Sequence, residues 1–271
     1  MLNSDEARHG GSAPAGMELS VAATVVLVRD AAEGLEVLLL ERPRDRGSFA
    51  GAWVFPGGRV DPEDATEATR ADAQDADALE AAEEAAARRA AVREVREETA
   101  LEVPPGSLVT TARWTPPHNT PKRFRTWFFL ARAPHGEITL TPQESIDYAW
   151  MRPAEALRMH GIGELSLVPP TWVTLHGLRN VRSVADALER AQRSARRNYV
   201  TRLGSNTDGP VLFWGEDVAY ADDSLVDAPG GRHRLEIGRL PWIYSTSGTT
   251  STTSTTSTTS TTSTTRTTST T

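Results

Sequence analysis

Two stretches decide the reading of this chain: Phe55-Pro56-Gly57-Gly58 and, further on, Arg93-Glu94-Val95-Arg96-Glu97-Glu98. Glu80 to Glu98 is alanine-rich and holds neither Gly nor Pro, which favours a long helix. On that helix Glu94, Glu97 and Glu98 stand at i, i+3 and i+4 and crowd one side. Carboxylates that close repel one another unless a cation lies between them. Hard oxygen ligands of this kind suit Mg²⁺ or Mn²⁺. The glycine pair upstream lets backbone approach the same spot.

Around this pair the pattern is α/β. Val21–Val28 and Leu35–Leu40 read as strands joined by an acidic turn at Asp30–Gly34. Ala52–Phe55 reads as a short strand running into the glycine turn. Pro104-Pro105-Gly106 stops the long helix, and strands follow at Ser107–Trp114, Arg125–Ala131 and Tyr148–Met151. Helices are expected at about Pro153–Met159, Pro170–Leu178 and Val184–Arg196, and short strands recur from Val211 to Tyr244. The order predicts an α/β sandwich with a mixed sheet rather than a repeated βαβ array. Residues 1–16 read as a disordered leader, 17–200 as the main domain, 201–245 as a β-rich extension packed on it, and 246–271 as a disordered tail. That tail is an STT repeat with no apolar residue to offset its ordering entropy.

Composition removes several classes. The chain has 271 residues, 38% of them hydrophobic, and a net charge of −7, which argues against a general grip on nucleic acid. With no cysteine, disulfides, zinc–thiolate sites and a cysteine nucleophile are excluded. No apolar run approaches the ~18 residues of a membrane span, and the N-terminus lacks a secretory h-region. A cytoplasmic protein with no membrane partner is the expectation.

These residues resemble the Nudix hydrolases, whose box reads G-x5-E-x7-R-E-U-x-E-E-x-G-U, U being a bulky aliphatic residue. Gly58 matches the opening glycine, and Arg93, Glu94, Val95, Glu97, Glu98 and Leu101 match the second half. Ala100 replaces the late glycine. The box is also stretched: Arg59 to Val92 places 34 residues where the family has 13, and the position eight before Arg93 is Ala85. The first-half carboxylate is therefore missing from its register counted back from Arg93, and Glu80, Glu83 and Glu84 are candidates to replace it.

An insertion in the same place is found in the branch similar to the peroxisomal coenzyme A diphosphatases. Leu38–Pro43, Gly47–Phe55, Arg113–Pro117 and Arg123–Phe129 also resemble that branch, as does Glu144 six residues before Trp150. The resemblance implies a small-molecule nucleotide substrate, Mg²⁺ or Mn²⁺ held by Glu94, Glu97, Glu98 and the Gly57 carbonyl, and Arg93 holding the glutamates in place. The general base is Glu94 or Glu144. Arg42, Arg44, Lys122, Arg123 and Arg125 are candidates for substrate phosphates, beside Gly58. Trp114, Trp127 and Phe129 are better placed as core than as base-stacking residues, and a lone loop histidine such as His118 usually carries no role. A homodimer is compatible with the family. ADP-ribose, NADH or a sugar nucleotide is the alternative substrate, and a nucleotide sensor without catalysis the alternative function.

Overall fold

The computed structural model describes residues 19–45, 49–65, 75–118, 120 and 123–247. The leader, Gly47, Ser48, Lys122 and the repeat from 248 onward lie outside the described residues.

The main sheet is built from β1 (Ser20–Ala31), β2 (Gly34–Glu41), β3 (Trp53–Val54), β4 (Gly57–Arg59), β5 (Val109–Thr115), β6 (Phe124–Arg132), β7 (Asp147–Met151) and β8 (Arg197–Val200). Its main path runs β3-β2-β1-β6-β5-β8, with β4 pairing β1 and β7 pairing β2. β1 is parallel to β6 and β5 is parallel to β8, while β1–β2 and β5–β6 are antiparallel. The sheet is mixed, as expected for this class.

Alternation along the strands sends side chains to opposite faces and so divides the core in two. On one face Ala23, Val25, Leu27, Leu38, Leu40, Trp127 and Phe129 pack against the long helix α1 (Ala76–Thr99) through Ala87, Ala90, Ala91 and Val95. On the other, Val26, Val28, Val37, Leu39, Phe128 and Leu130 meet three helices. These are α2 (Pro153–Gly161), α3 (Pro169–Leu178) and α4 (Val184–Arg193). Alanine on the buried side of α1 brings the helix close to the sheet at little side-chain entropy cost.

A second, antiparallel sheet follows, in the order β12-β11-β10-β9. Its strands are β9 (Arg202–Asn206), β10 (Gly209–Phe213), β11 (His233–Glu236) and β12 (Ile243–Thr246). Leu212, Trp214 and Leu235 join the second core face, so this sheet continues the packing of the helices. Trp114 stacks on Tyr199 at 3.8 Å between ring centroids and meets Trp214 edge-on.

Two expectations are corrected here. The last helix ends at Arg193 rather than Arg196, and the chain turns at once into β8 beside β5. The long helix begins at Ala76, so the second part of the insertion is a helical extension of α1, capped by Asp75, whose side chain accepts from Ala78 N–H at 2.8 Å. Among the described residues, no helix is long and apolar enough to cross a membrane.

Candidate active site

The site forms where the Gly57-Gly58 turn lies against the C-terminal half of α1. β4 pairs β1 in the register Ala23↔Gly58 and Thr24↔Gly57, and lies against α1. A Cβ on Gly57 would overlap the Ala23 carbonyl oxygen and sit 2.7 Å from Thr24 Cα. A Cβ on Gly58 would overlap the carboxylate of Glu94. Both glycines are thus required by close approach, one to a strand and the other to a carboxylate.

Glu94 and Glu98 are buried, at 9% and 5% exposure, while the Glu97 side chain is 47% exposed. Glu98 Oε2 accepts from Gly57 N–H at 2.8 Å. Gly57 thus meets the carboxylate cluster through its N–H, while its carbonyl remains the expected ligand to a metal. Arg93 Nη1 donates to Glu94 Oε1 at 2.8 Å and to Glu97 Oε2 at 3.1 Å, spanning two of the three carboxylates. Burial pushes the Glu98 carboxyl up to about 8; the charges of Glu94 and Glu144 add to this, while Gly57 N–H and Arg42 oppose it. Burial also raises Glu94 against the pull of Arg93, with Glu97 and Glu144 adding to the rise.

Arg93 is itself pinned by a residue the sequence reading missed. Its Nη2 donates to Asp64 Oδ2 at 2.9 Å and to the Arg59 carbonyl at 3.0 Å, and its Nε reaches Asp64 Oδ1 at 3.4 Å. This fork on Asp64, together with Glu94, raises the arginine further above its ordinary range despite partial burial. Asp64 is 6% exposed and closes a short helical turn, Pro62–Asp64, by accepting from Asp61 N–H at 2.9 Å. The signal was available: counted forward from Gly58, the first acidic position of the box falls on Asp64. Counting backward from Arg93 crosses the insertion and arrives at Ala85.

The insertion's other acids do not replace it. Glu83 accepts from Trp127 Nε1 at 2.8 Å and Arg125 Nη2 at 2.5 Å, and Glu84 pairs with Arg88 and Thr110. Glu80 binds Arg113 and Arg196. All three serve an ion-pair cluster at the other end of α1. Arg125 belongs to that cluster rather than to the site. Trp114, Trp127 and Phe129 are core residues at 4% exposure or less, and His118 is exposed.

The remaining candidates divide. Arg42 stands near enough to Glu98 to favour its charged form, and its buried Nε has no hydrogen-bond partner. Arg44 is 76% exposed and paired with Glu41 at 2.8 Å, so its charge is partly committed. Arg123 immediately precedes β6; its carbonyl accepts from Ser20 N–H and its buried Nε is unpartnered. Glu144 lies exposed on the turn before β7, close enough for its charge to act on both Glu94 and Glu98.

Among the described residues no group of three or more His, Asp or Glu forms a ready cation cage, because Arg93 draws Glu94 and Glu97, and Gly57 draws Glu98. The donor set nevertheless fits a hard divalent ion. Two buried carboxylates, with Glu97 and Glu144 near, carry charge that burial disfavours, and one oxygen of each of Glu94, Glu97 and Glu98 has no donor among the described residues.

A NUDIX domain family model matches residues 18–169. No curated protein matches the chain. Among solved structures, a NUDIX hydrolase from Alicyclobacillus acidocaldarius is 26% identical, with a TM-score of 0.55 over 65% of this chain and 97% of that one. The MutT protein from Methanosarcina mazei Go1 is 19% identical (TM-score 0.42, 65% and 96% coverage). The NUDIX domain of Shewanella oneidensis NrtR, solved with ADP ribose, is 18% identical (TM-score 0.44, 66% and 94% coverage).

Proposed function

This chain belongs to the NUDIX domain family, and from that premise we propose that it is a divalent-metal-dependent diphosphatase acting on coenzyme A or its acyl esters. The observation that carries the hydrolytic reading is the buried pair Glu94 and Glu98, gathered on Gly57-Gly58 and steadied by an arginine that Asp64 pins. Glu94, Glu97 and Glu98 would hold Mg²⁺ or Mn²⁺, which when bound supplies an acidified water and neutralises diphosphate charge.

The residues of the chain do the rest. Water attacks one phosphorus of the diphosphate, a P–O bond forms, the bridging P–O bond breaks, and the water's proton passes to a carboxylate. Glu94 and Glu144 are the two candidates for that base. Arg93 keeps Glu94 and Glu97 in one orientation, so little reorganisation is left for the reaction. Arg42, with its unpartnered guanidinium N–H beside Glu98, suits a phosphate oxygen. Arg123 is the next candidate, and Gly58 lets a substrate oxygen approach the backbone.

The choice of coenzyme A rests on the insertion within the box and on the flanking segments that resemble that branch. A non-catalytic domain would follow from an absent first-half carboxylate; Asp64, six residues after Gly58 and bonded to Arg93, supports the catalytic reading.

A panel of coenzyme A, acetyl-coenzyme A, ADP-ribose, NADH and sugar nucleotides with Mg²⁺ or Mn²⁺ tests the proposal. Release of 3′,5′-ADP and phosphopantetheine is expected. Glu98→Gln and Glu97→Gln should lower kcat by 100-fold or more, about 3 kcal/mol of transition-state stabilisation. Faster turnover of another panel member would replace the substrate. Unchanged rates in both variants, or tight binding with no product, would overturn the hydrolytic assignment.

A further inference from the structure

A cavity of about 180 Å³ lies on the face of the sheet opposite the carboxylates. Val26 and Leu130 form its floor, α3 and the turn after it contribute Val173, Gly177 and Val181, and α4 contributes Ala187 and Ala191. The neighbouring strand residues Val25 and Phe129 point the other way, toward α1, so the sheet separates this cavity from the site described above.

Its interior is apolar in effect. Thr111 Oγ1 donates to the Phe128 carbonyl at 3.1 Å and Thr174 Oγ1 to the Pro170 carbonyl at 2.8 Å, so these hydroxyl protons are already used. The pocket is half-open, with Gly177, Arg190, Ser194, Ala195 and Arg197 exposed at its rim, and its apolar floor can take an apolar guest reached directly from solvent.

The mouth is basic. Arg190 is neutralised by Asp186 at 2.5 Å. Arg197 has no carboxylate at ion-pair distance among the described residues: its guanidinium donates to the Tyr199 hydroxyl at 3.3 Å. Glu216, the carboxylate whose charge also reaches Arg197, is held by His233 at 2.5 Å. A cation at the mouth of a pocket with an apolar floor favours an anion with an apolar body.

We infer that this cavity is a second binding site, for a small carboxylate with an apolar body of about six to eight carbons, its head on Arg197 and its tail between α3, α4 and the sheet.

Calorimetric titration of the full chain with octanoate, octanol as the uncharged control, tests this. Octanoate should bind saturably, and more tightly than octanol. Gly177 lines the pocket and a Cβ there meets no atom within 4 Å, so Gly177→Leu adds bulk to the lining without a clash and also improves helix propensity. It should weaken octanoate at least tenfold. Arg197→Gln should weaken octanoate about fivefold and leave octanol unchanged. Glu98→Gln should leave octanoate binding intact, which separates this site from the hydrolytic one. If Gly177→Leu fails to fold, methyl NMR of the wild type decides: shifts should concentrate at Val26, Leu130, Val173 and Val181. Absence of saturable binding, indifference to both Gly177→Leu and Arg197→Gln, or loss of binding in Glu98→Gln would overturn the inference.

Discussion

Asp64 shows how a residue far in sequence sets the geometry of a helix it does not belong to. It is buried, forks Arg93, and through Arg93 reaches Glu94 and Glu97. Its role is positioning. Asp64→Ala should lower kcat about 10- to 100-fold, the scale seen when groups that orient ligating residues are removed. KM should change little, because no substrate contact is lost. Asp64→Glu, which restores a carboxylate to the same arginine, should recover most of kcat. Steady-state kinetics well below the melting temperature checks this. A fall in melting temperature with kcat intact in Asp64→Ala would reduce Asp64 to a structural residue. The Arg93–Glu97 pair was legible from i,i+4 spacing; Asp64 was legible only by counting forward from Gly58, because its contact with Arg93 bridges 29 residues of sequence.

At the scale of elements, α1 carries two separate devices. Its C-terminal half bears the carboxylates, and its N-terminal extension ties the helix to β5 and β6. Glu83 satisfies the indole N–H of Trp127, which is fully buried, and pairs with Arg125. Glu83→Ala strands that N–H and should cost about 1–3 kcal/mol of stability. Eleven residues of helix, about 16 Å, separate Glu83 from Glu94, so activity per folded molecule should be unchanged. Denaturant melts paired with kcat measurements check both halves; a stability within error of wild type would remove the clamp.

The end of α1 gives a second test. Ala100 caps the helix in the left-handed region at φ 60°, a conformation that disfavours a Cβ. Ala100→Gly should stabilise the fold by about 1 kcal/mol, a rise of roughly 2–4 °C in Tm for a domain of this size. An unchanged or lowered Tm would show that the neighbouring packing already favours alanine. The helix itself was readable from alanine content and the lack of Gly and Pro. Its true start, and the conversion of Arg197–Val200 into a strand, were not. The start is set by the Asp75 cap and held by the Trp127 cluster, and the strand depends on the β5 edge.

For the whole molecule, the buried carboxylates make stability depend on pH. The Glu98 carboxyl sits at about 8 in the fold against an ordinary 4.5. Between these values the native state holds more protons than the unfolded state, so this group's contribution falls as pH rises from about 4.5 to about 8. His176 acts in the opposite sense. Burial, helped by the Arg179 charge, lowers it from 6.5 to about 4, so its contribution is lost as pH falls through that range. Comparison with Glu98→Gln cancels the histidine. The metal-free wild type should lose Tm relative to that variant between pH 5 and 8. Mg²⁺ should raise Tm more at pH 8 than at pH 5.5, since the ion needs the deprotonated ligand. Parallel Tm curves for the two proteins would contradict the assignment of the shift to Glu98.

By itself, the amino-acid order determined the α/β class, the main strands, the long helix and the crowding of Glu94, Glu97 and Glu98 on one side of it. Those features follow from local periodicity, from residue propensity and from a motif read within a few turns. The tertiary structure alone decided that Asp64 closes onto Arg93, which arginines are already spent, and that the second sheet completes the core through Leu212, Trp214 and Leu235. Each of these is a contact between segments distant in sequence. Its partner is chosen by strand register and by the need to satisfy buried charge, neither of which leaves a periodic trace along the chain.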